Sequence, residues 1–157
     1  MTISITRANL SHLPAIQQLN RRLFEMEFER YDQNLNVEWP TAEPGTQYFT
    51  QMIAAGSVYV AITHDEVVGY LAGNFRHQQS YMLDPVAELD NILVAEPYRG
   101  QGIGTQLVER FLLECQQQNI KAVRVTAYAN NNMALEFYRK HGFAPREINL
   151  ERTLQES

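Results

Sequence analysis

The sequence predicts an α/β protein whose central sheet is mixed and is parallel at one crossover. Short alternating runs typical of strands are interspersed with segments whose apolar residues recur at helical spacing. A strand, a glycine-rich turn, a helix and another strand follow one another over residues 86–126, and such a crossover joins parallel neighbours. The chain has 157 residues, of which 45% are hydrophobic and 20% charged. We therefore expect residues 1–157 to form a single domain with its own core.

The first half of the chain is predicted to contain one strand, two helices and a β-hairpin. Alternation of apolar and polar residues marks the strands, and apolar residues three and four positions apart mark the first helix. The predicted elements are a strand at 3–7, a helix capped by Asn9 or Ser11, a loop at 31–45, a helix at 46–55 stopped by Gly56, and strands at 57–63 and 67–76 joined by a turn at 64–66.

The second half is predicted to hold three strands and two helices. The predicted elements are a polar loop at 77–85, a strand at 86–94, a helix that contains Leu107, Val108, Phe111, Leu112 and Cys115, a strand at 121–126, a helix at 130–141 closed by Gly142, and a final strand at 143–153. Because Cys115 falls on the apolar face of its helix, we interpret it as a core residue rather than a nucleophile.

Composition and charge argue against several classes of protein. The formal net charge of −5 disfavours a general nucleic-acid binder. No apolar run reaches the ~18–20 residues of a membrane span, and the first residues lack the features of a signal peptide. The four histidines are scattered and no Cys/His cluster has metal-ligand spacing, so we expect no metal. A single cysteine cannot form an internal disulfide, which favours a reducing, cytoplasmic location.

The most informative stretch is the turn that follows the strand at 86–94. Gly100, Gly102 and Gly104 let backbone N–H groups crowd together, and the helix that begins there adds unpaired N–H groups and the positive end of its dipole. Such a turn favours a bound phosphate or pyrophosphate. The spacing is not the G-x-G-x-x-G dinucleotide fingerprint, and Thr105-Gln106 stands where a Walker A loop needs Lys-Ser or Lys-Thr. An ordinary glycine-rich turn is the alternative.

Two motifs resemble those of a known family. Arg99-x-x-Gly102-x-Gly104 is similar to the acetyl-CoA pyrophosphate loop of the GNAT superfamily of N-acetyltransferases. A second run in this sequence resembles the second motif of that superfamily. It reads Asn131-x-x-Ala134-x-x-Phe137-Tyr138-x-Lys140-x-Gly142-Phe143. The resemblance is most specific over residues 86–143 and extends over nearly the whole chain in the order of elements. It implies the GNAT fold, a mixed, twisted central sheet flanked by helices, in which parallel strands splay apart at the cofactor site.

The resemblance also implies acetyl-CoA as cosubstrate and assigns its contacts. Backbone groups at the end of the strand would bind the pantetheine arm, the Val94 N–H would face the thioester oxygen, and amides of the turn would hold the pyrophosphate. Asn131 would contact the pantetheine amides, and Tyr138 would lie near the sulfur. The implied cofactor residues are Ile92, Leu93, Val94, Arg99, Gly100, Gln101, Gly102, Ile103, Gly104, Thr105, Asn131 and Tyr138.

Three residues are candidates for acid–base chemistry. Tyr138 is suited to donate a proton to the departing CoA thiolate. Glu88 stands 11 residues before Arg99, where the histone acetyltransferase branch carries its glutamate base, and strand alternation puts Asp90 on the same face. A water held by either carboxylate is the alternative base. The ribosomal-protein alanine acetyltransferases place a base at the position of Thr126, which cannot serve, so this chain departs from that branch.

Residues 25–43 are expected to help shape the acceptor pocket. Acidic residues and aromatic rings interleave there, which favours a cationic amine, although a solvated helix face with Trp39 as a packing anchor is the alternative. The interleaved residues are Phe24, Glu25, Glu27, Phe28, Glu29, Tyr31, Asp32, Glu38, Trp39 and Glu43.

The sequence therefore predicts direct acetyl transfer, in a ternary complex, to a primary amine of a small molecule, peptide N-terminus or lysine. A catalytically silent acyl-CoA-binding sensor or interaction module is the alternative, which the presence of Tyr138 and Glu88 disfavours because a pure binder needs neither. We expect no nucleic-acid or membrane partner, and the oligomeric state is left open between monomer and homodimer.

Overall fold

Five strands form one mixed sheet, in the order of the chain, across residues 2–155, the part that the computed structural model describes. The strands are β1 Ser4–Arg7, β2 Val58–Thr63, β3 Glu66–His77, β4 Val86–Val94 and β5 Val123–Val125. Neighbours from β1 to β4 run antiparallel, whereas β4 and β5 run parallel. The predicted mixed sheet, parallel at the glycine-rich crossover, is confirmed.

Four α-helices lie in the same part of the chain, residues 2–155: α1 Leu13–Arg30, α2 Glu43–Ala54, α3 Ile103–Gln117 and α4 Asn132–Lys140. α1 and α2 pack on one face of the sheet, and α3 packs on the other. A short 3-10 turn, Leu10–His12, precedes α1 and is capped by Asn9, whose Oδ1 accepts from the Ser11 N–H at 2.9 Å. No helix within residues 2–155 is both long enough and apolar enough to cross a membrane.

The two faces of the sheet differ in polarity. On the α3 face, Phe111 and Cys115 belong to a buried apolar cluster. Burial raises the pKa of the Cys115 thiol to about 11, so this side chain is a core residue, as expected, and not a reactive thiolate at neutral pH. The α1–α2 face also has an apolar cluster, which includes Ile16 and Phe49, but it carries the fully buried Asn20 as well. Tyr48, Asp90 and Asn91 of the site described below lie on this second face, whereas Tyr138 packs against the cluster on the α3 face.

The start of α2 and the hairpin turn differ from the prediction for the first half. α2 begins at Glu43 instead of residue 46, because Pro44 is tolerated in a first helical turn, where its missing N–H would have no partner. The hairpin turn has two residues instead of three. His64 and Asp65 have φ of 50° and 60°, as a type I′ turn requires, and Glu66 already pairs with Thr63.

The predicted final strand at 143–153 is wrong. Residues 143–155 form no strand, and Ile148 and Leu150, which alternate as strand residues would, are 84% and 88% exposed. A strand exists only where a neighbour satisfies its backbone groups, and β5 pairs over three residues only. Pro145 at the start of the segment also lacks the N–H that pairing would need. Alternation alone was therefore an insufficient signal.

Candidate functional site

β4 and β5 are paired along only part of β4. Their pairing ends where Leu89 lies opposite Val125, although β4 continues to Val94 and stays paired with β3 on its other edge. The edge formed by residues 90–94 therefore faces no strand within residues 2–155. We call the space beside this edge the β4–β5 gap. It lies where the resemblance implies that parallel strands splay apart.

β4 carries a β-bulge at Asp90. Asn91 lies opposite Ala72, and Leu89 lies opposite the next residue, Gly73, so Asp90 has no partner of its own on β3. Asp90 hydrogen-bonds a residue of α2, and Asn91 lies within hydrogen-bond distance of one of α1. Both consecutive side chains therefore reach the α1–α2 face, where an unbroken strand would direct only one of them.

The backbone of Val94 is turned toward the gap. The Ala95 N–H donates to β3 at 2.8 Å, and alternation along the strand then directs Leu93 toward β3 and Val94 toward the gap. The Val94 carbonyl accepts from Arg99 Nε at 2.8 Å, which agrees with that direction and ties the following turn to β4. The same alternation turns Ile92 toward the gap. The predicted contact between Leu93 and the cofactor stays a prediction. The backbone groups of Leu93 face β3, which does not support it.

The glycine-rich turn presents unpaired amides at the start of α3. The first helical bond runs from the Gln106 N–H to the Gly102 carbonyl, and no side chain caps the helix, so the N–H groups of residues 103–105 lie ahead of the intrahelical ladder. Gly100 and Gly102 have φ of +76° and +80°, and a Cβ at either would meet nothing within 4 Å. Gln101 between them is exposed. The turn is therefore shaped by backbone conformation and has open space in front of it.

Gly104 lies where α3 packs against α4. A Cβ there would lie 3.4 Å from the Phe137 ring, an ordinary contact distance. Beside it, Thr105 Oγ1 lies 3.3 Å from His141 Nε2. An open groove of about 550 Å³ runs between the two helices, lined by Thr105, Glu109, Met133, Glu136, Phe137, Lys140 and His141. The groove adjoins the unpaired amides of the turn.

Two of the predicted site residues lie on α4 or at its N-cap, Tyr138 and Asn131. Tyr138 is half-buried; burial, with a smaller contribution from the charge of Glu27, raises its pKa to about 12. No side chain among residues 2–155 is hydrogen-bonded to its hydroxyl, which leaves that group free for a ligand. Asn131 caps α4, because its Oδ1 accepts from the Ala134 N–H at 3.2 Å. Its Nδ2 is left for other partners.

The two predicted carboxylates of β4 form a group with two further residues. The Tyr48 hydroxyl of α2 donates to Asp90 Oδ2 at 2.5 Å, and Glu88 Oε1 lies 3.3 Å from His77 Nε2. Burial raises the pKa of Asp90, and the charge of Glu88 adds to the rise, while Tyr48 and His77 oppose it. Within residues 2–155, no three histidine, cysteine or carboxylate side chains are grouped as a metal site would need.

Sequence reasoning missed a buried polar network behind these groups. Asn20 Nδ2 of α1 donates to the Tyr70 hydroxyl at 2.7 Å and lies 3.4 Å from Asn91 Oδ1. One signal was available, because Asn20 lies four residues after Ile16 and so interrupts the apolar stripe of α1. Tyr48 carried no such signal, since its role depends on a contact 42 residues away in the chain.

Most of the acidic and aromatic segment at 25–43 follows the alternative interpretation. Arg21 forms ion pairs with Glu25 and Glu38 at 2.9 and 2.8 Å, which neutralises both carboxylates at the surface. Phe24 stacks on Trp39 with ring centroids 5.7 Å apart, and Trp39 packs against the core beneath α1 and α2. These residues therefore anchor the segment.

Solved structures share this architecture. The fold is similar to that of an aminoglycoside acetyltransferase from an uncultured soil metagenomic sample, at 25% identity and a TM-score of 0.70, over 98% of this chain and 97% of that chain. It is also similar to the PaiA N-acetyltransferase of Thermoplasma acidophilum, solved with coenzyme A, at 16% identity and a TM-score of 0.78, over 95% of this chain and 94% of that chain. The second likeness shows the fold alone.

Comparison at the level of sequence identifies the family. A stretch of 90 residues, 57% of this chain, is 28% identical to an uncharacterized N-acetyltransferase of Methanocaldococcus jannaschii, and it spans 40% of the length of that relative. The acetyltransferase (GNAT) family matches residues 13–143, which include the splayed strands, the glycine-rich turn and α4. The chain therefore belongs to the acetyltransferase (GNAT) family.

Proposed function

We propose that this chain transfers the acetyl group of acetyl-CoA to a primary amine by direct attack in a ternary complex. The observation that carries the proposal is the unpaired edge of β4 at residues 90–94, which leads through the turn to the uncapped start of α3. A free strand edge suits a ligand that carries amides, and uncapped helical N–H groups suit a ligand that carries phosphates. Acetyl-CoA has both features in one molecule.

The residues at the gap fit acetyl-CoA, which would supply the thioester whose acetyl group is transferred. Ile92 and Val94 turn backbone groups to the gap where the pantetheine arm would lie. The amides of residues 100–105 would hold the pyrophosphate, and Asn131 Nδ2 would serve a pantetheine carbonyl. The groove between α3 and α4 adjoins those amides and would take the remainder of the cofactor.

Three groups of this chain would carry the chemistry. The Val94 N–H would stabilise negative charge as it develops on the thioester oxygen. Tyr138 would give its proton to the departing sulfur, and because burial raises its pKa to about 12, the phenol stays protonated at neutral pH. Glu88 or Asp90, directly or through water, would take the proton from the attacking amine nitrogen. Tyr48 would hold Asp90 in place for that role.

The proposal is tested by thermal shift and by thiol release. Acetyl-CoA at 100 times its Kd should stabilise the fold by about 2.7 kcal/mol, while NAD and ATP should not. Free CoA should then appear when suitable amines from a panel of small amines, peptides and aminoglycosides are added. Stabilisation without thiol release for every amine would favour the silent acyl-CoA-binding module. Stabilisation by ATP with none by CoA would overturn the assignment.

A further inference from the structure

The last turns of α1 reach across to the far side of the β4–β5 gap. Tyr31, the residue that ends α1, stacks on Tyr128 with ring centroids 5.0 Å apart and planes at 16°. Tyr128 lies three residues beyond Val125, where the pairing of β5 ends. Glu27 precedes Tyr31 by four residues, so the two side chains share one face of the helix. The stacking therefore holds Glu27 at the gap.

Glu27 is a half-buried carboxylate without a cation. Within residues 2–155, no lysine, arginine or histidine lies within ion-pair distance of it, in contrast to Glu25 and Glu38, which share Arg21. Burial raises the pKa of Glu27, the Tyr128 hydroxyl that faces it opposes the rise, and the charge of Asp32 adds to it. A partly buried charge with no partner is costly, and such groups concentrate where a ligand brings the opposite charge.

Three tyrosines lie near enough to Glu27 for its charge to act on them. Burial is the main cause that raises the pKa of Tyr70, Tyr128 and Tyr138, and the charge of Glu27 adds to each rise. The oxygen of the fully buried Tyr70 accepts from Asn20 Nδ2 at 2.7 Å, so its own proton is free to point elsewhere. The Oδ1 atom of Asn20 is buried and has no partner among residues 2–155. The surroundings of Glu27 thus include the Tyr128 hydroxyl and the stacked rings of Tyr31 and Tyr128.

We propose that Glu27 binds the ammonium form of the acceptor amine in the β4–β5 gap, between Tyr138 and the stacked rings of Tyr31 and Tyr128. An ammonium has three N–H donors and no acceptor, which matches a carboxylate with hydroxyl oxygens around it, and aromatic faces add cation–π attraction. The inference rests on the proposed function and names its substrate class: a primary amine that is cationic at neutral pH. Glu27 is a binding residue here, and proton removal stays with the carboxylates of β4.

The experiment measures ammonium binding apart from turnover. The CoA-saturated protein is titrated at pH 7 with n-alkylammonium chlorides from ethyl to hexyl and with the 1-alkanols of equal length, and thermal shift and calorimetry give each Kd. We expect at least one ammonium to bind about tenfold or more tightly than its alcohol. Glu27→Gln should abolish that preference and leave CoA affinity unchanged. Glu66→Gln, which removes the same charge from the exposed start of β3, should retain it.

Two results would overturn the inference. One is an unmodified protein that prefers no ammonium over its alcohol, and the other is a Glu27→Gln variant that keeps the preference. If Glu27→Gln fails to fold, Glu27→Met provides an uncharged side chain of similar length with good helix propensity, and Glu27→Asp should keep the preference in part.

These measurements distinguish a failure of the inference from a failure of the proposed function. Acetyl transfer to a cationic acceptor with the same KM in the native protein and in Glu27→Gln would leave the function standing and remove Glu27 from it. A Glu27-dependent ammonium preference without thiol release from any amine would keep the binding site and remove the transferase activity.

Discussion

The two sides of the β4–β5 gap are built from different chemistry. The proposed cofactor side consists of backbone, with unpaired amides at residues 103–105 and a turn set by Gly100 and Gly102, in front of which lies open space. The proposed acceptor side consists of side chains, such as Tyr48 on Asp90, which α2 brings to β4 across 42 positions of sequence. Ligand binding on the first side should depend on backbone conformation, and chemistry on the second side should depend on the protonation states of its side chains.

The two sides should therefore respond differently to mutation. Backbone amides do not titrate, so damage to the cofactor side should appear as lost affinity at every pH. The acceptor side holds groups whose pKa is raised by burial, among them Asp90 and Glu27. Damage there should appear in rates and in their dependence on pH.

The largest effect is expected for Tyr138→Phe. This change keeps the ring and its packing against Phe137 and Phe143 but removes the proton donor. The kcat should fall by about 100-fold or more if protonation of the thiolate accompanies C–S cleavage, while the Kd of acetyl-CoA should stay nearly constant. Steady-state kinetics and calorimetry measure the two quantities. Full activity in the variant would mean that the thiolate leaves without help.

The second largest effect is expected for Gly102→Val on the cofactor side. A side chain at φ +80° strains the backbone, and its Cβ enters the space in front of the amides. Loss of about two hydrogen bonds to phosphate should weaken CoA binding by about 30-fold, measured by calorimetry at pH 6 and pH 8 alike. Gly56→Val is the matched control, because Gly56 has φ +76° between α2 and β2. It should lower Tm and leave CoA affinity intact.

A smaller effect with a pH signature is expected for Glu88→Gln. Activity should fall by about tenfold at neutral pH. The loss should be smaller than for removal of a sole base, because the nearby Asp90 can take the proton instead. Part of the activity should return as pH rises, since alkali supplies neutral amine without a base. Asp90→Asn is the comparison, and the variant whose pH–rate profile changes identifies the base. Unchanged profiles in both would assign proton removal to water.

A modest effect, separable from that on stability, is expected for Asn131. Asn131→Ala removes the cap of α4 and should cost about 1 kcal/mol, a fall in Tm of about 3 °C. Asn131→Asp keeps the capping oxygen but removes Nδ2, so it should restore Tm while CoA binding stays weakened. Equal CoA affinity in native protein and Asn131→Asp would limit this residue to its structural role.

The smallest effect is expected in the stability of Asp90→Asn. Because the pKa of Asp90 is raised in the folded state, its charge is unfavourable for folding at neutral pH. The variant should therefore have a slightly higher Tm at pH 7. The gain should disappear as pH falls through the raised pKa toward the ordinary value of about 3.9, below which both side chains are neutral. Thermal scans across pH 3–8 would show it, and a lower Tm at pH 7 would contradict the sign.

The same contrast explains what the sequence could predict. The cofactor side follows from local patterns, because a strand, three glycines and a helix start lie within consecutive residues. The order of strands up to β5 followed from such patterns too. The strand predicted at 143–153 failed because a strand needs a neighbour, and local alternation carries no information about one.

The acceptor side was harder to predict because its groups meet only after folding. Tyr70 and Asn20 are 50 positions apart, and neither belongs to a recognisable motif. Glu27 is one of the acidic residues of 25–43. The path of α1 and the stacking of Tyr31 on Tyr128 place it beside the gap. The sequence shows that these residues are acidic, whereas the tertiary structure decides that Glu25 and Glu38 form ion pairs with Arg21.

The bulge at Asp90 has a consequence for the spacing of functional groups. Along a regular strand, side chains on one face recur only every second residue, at intervals of about 6.6 Å. The bulge places Asp90 and Asn91, whose Cα atoms are about 3.8 Å apart, on the same face. It thereby doubles the local density of polar groups where β4 leaves β5, without lengthening the strand. Deleting Asp90 alone would remove this bulge and, with it, the second polar side chain on that face.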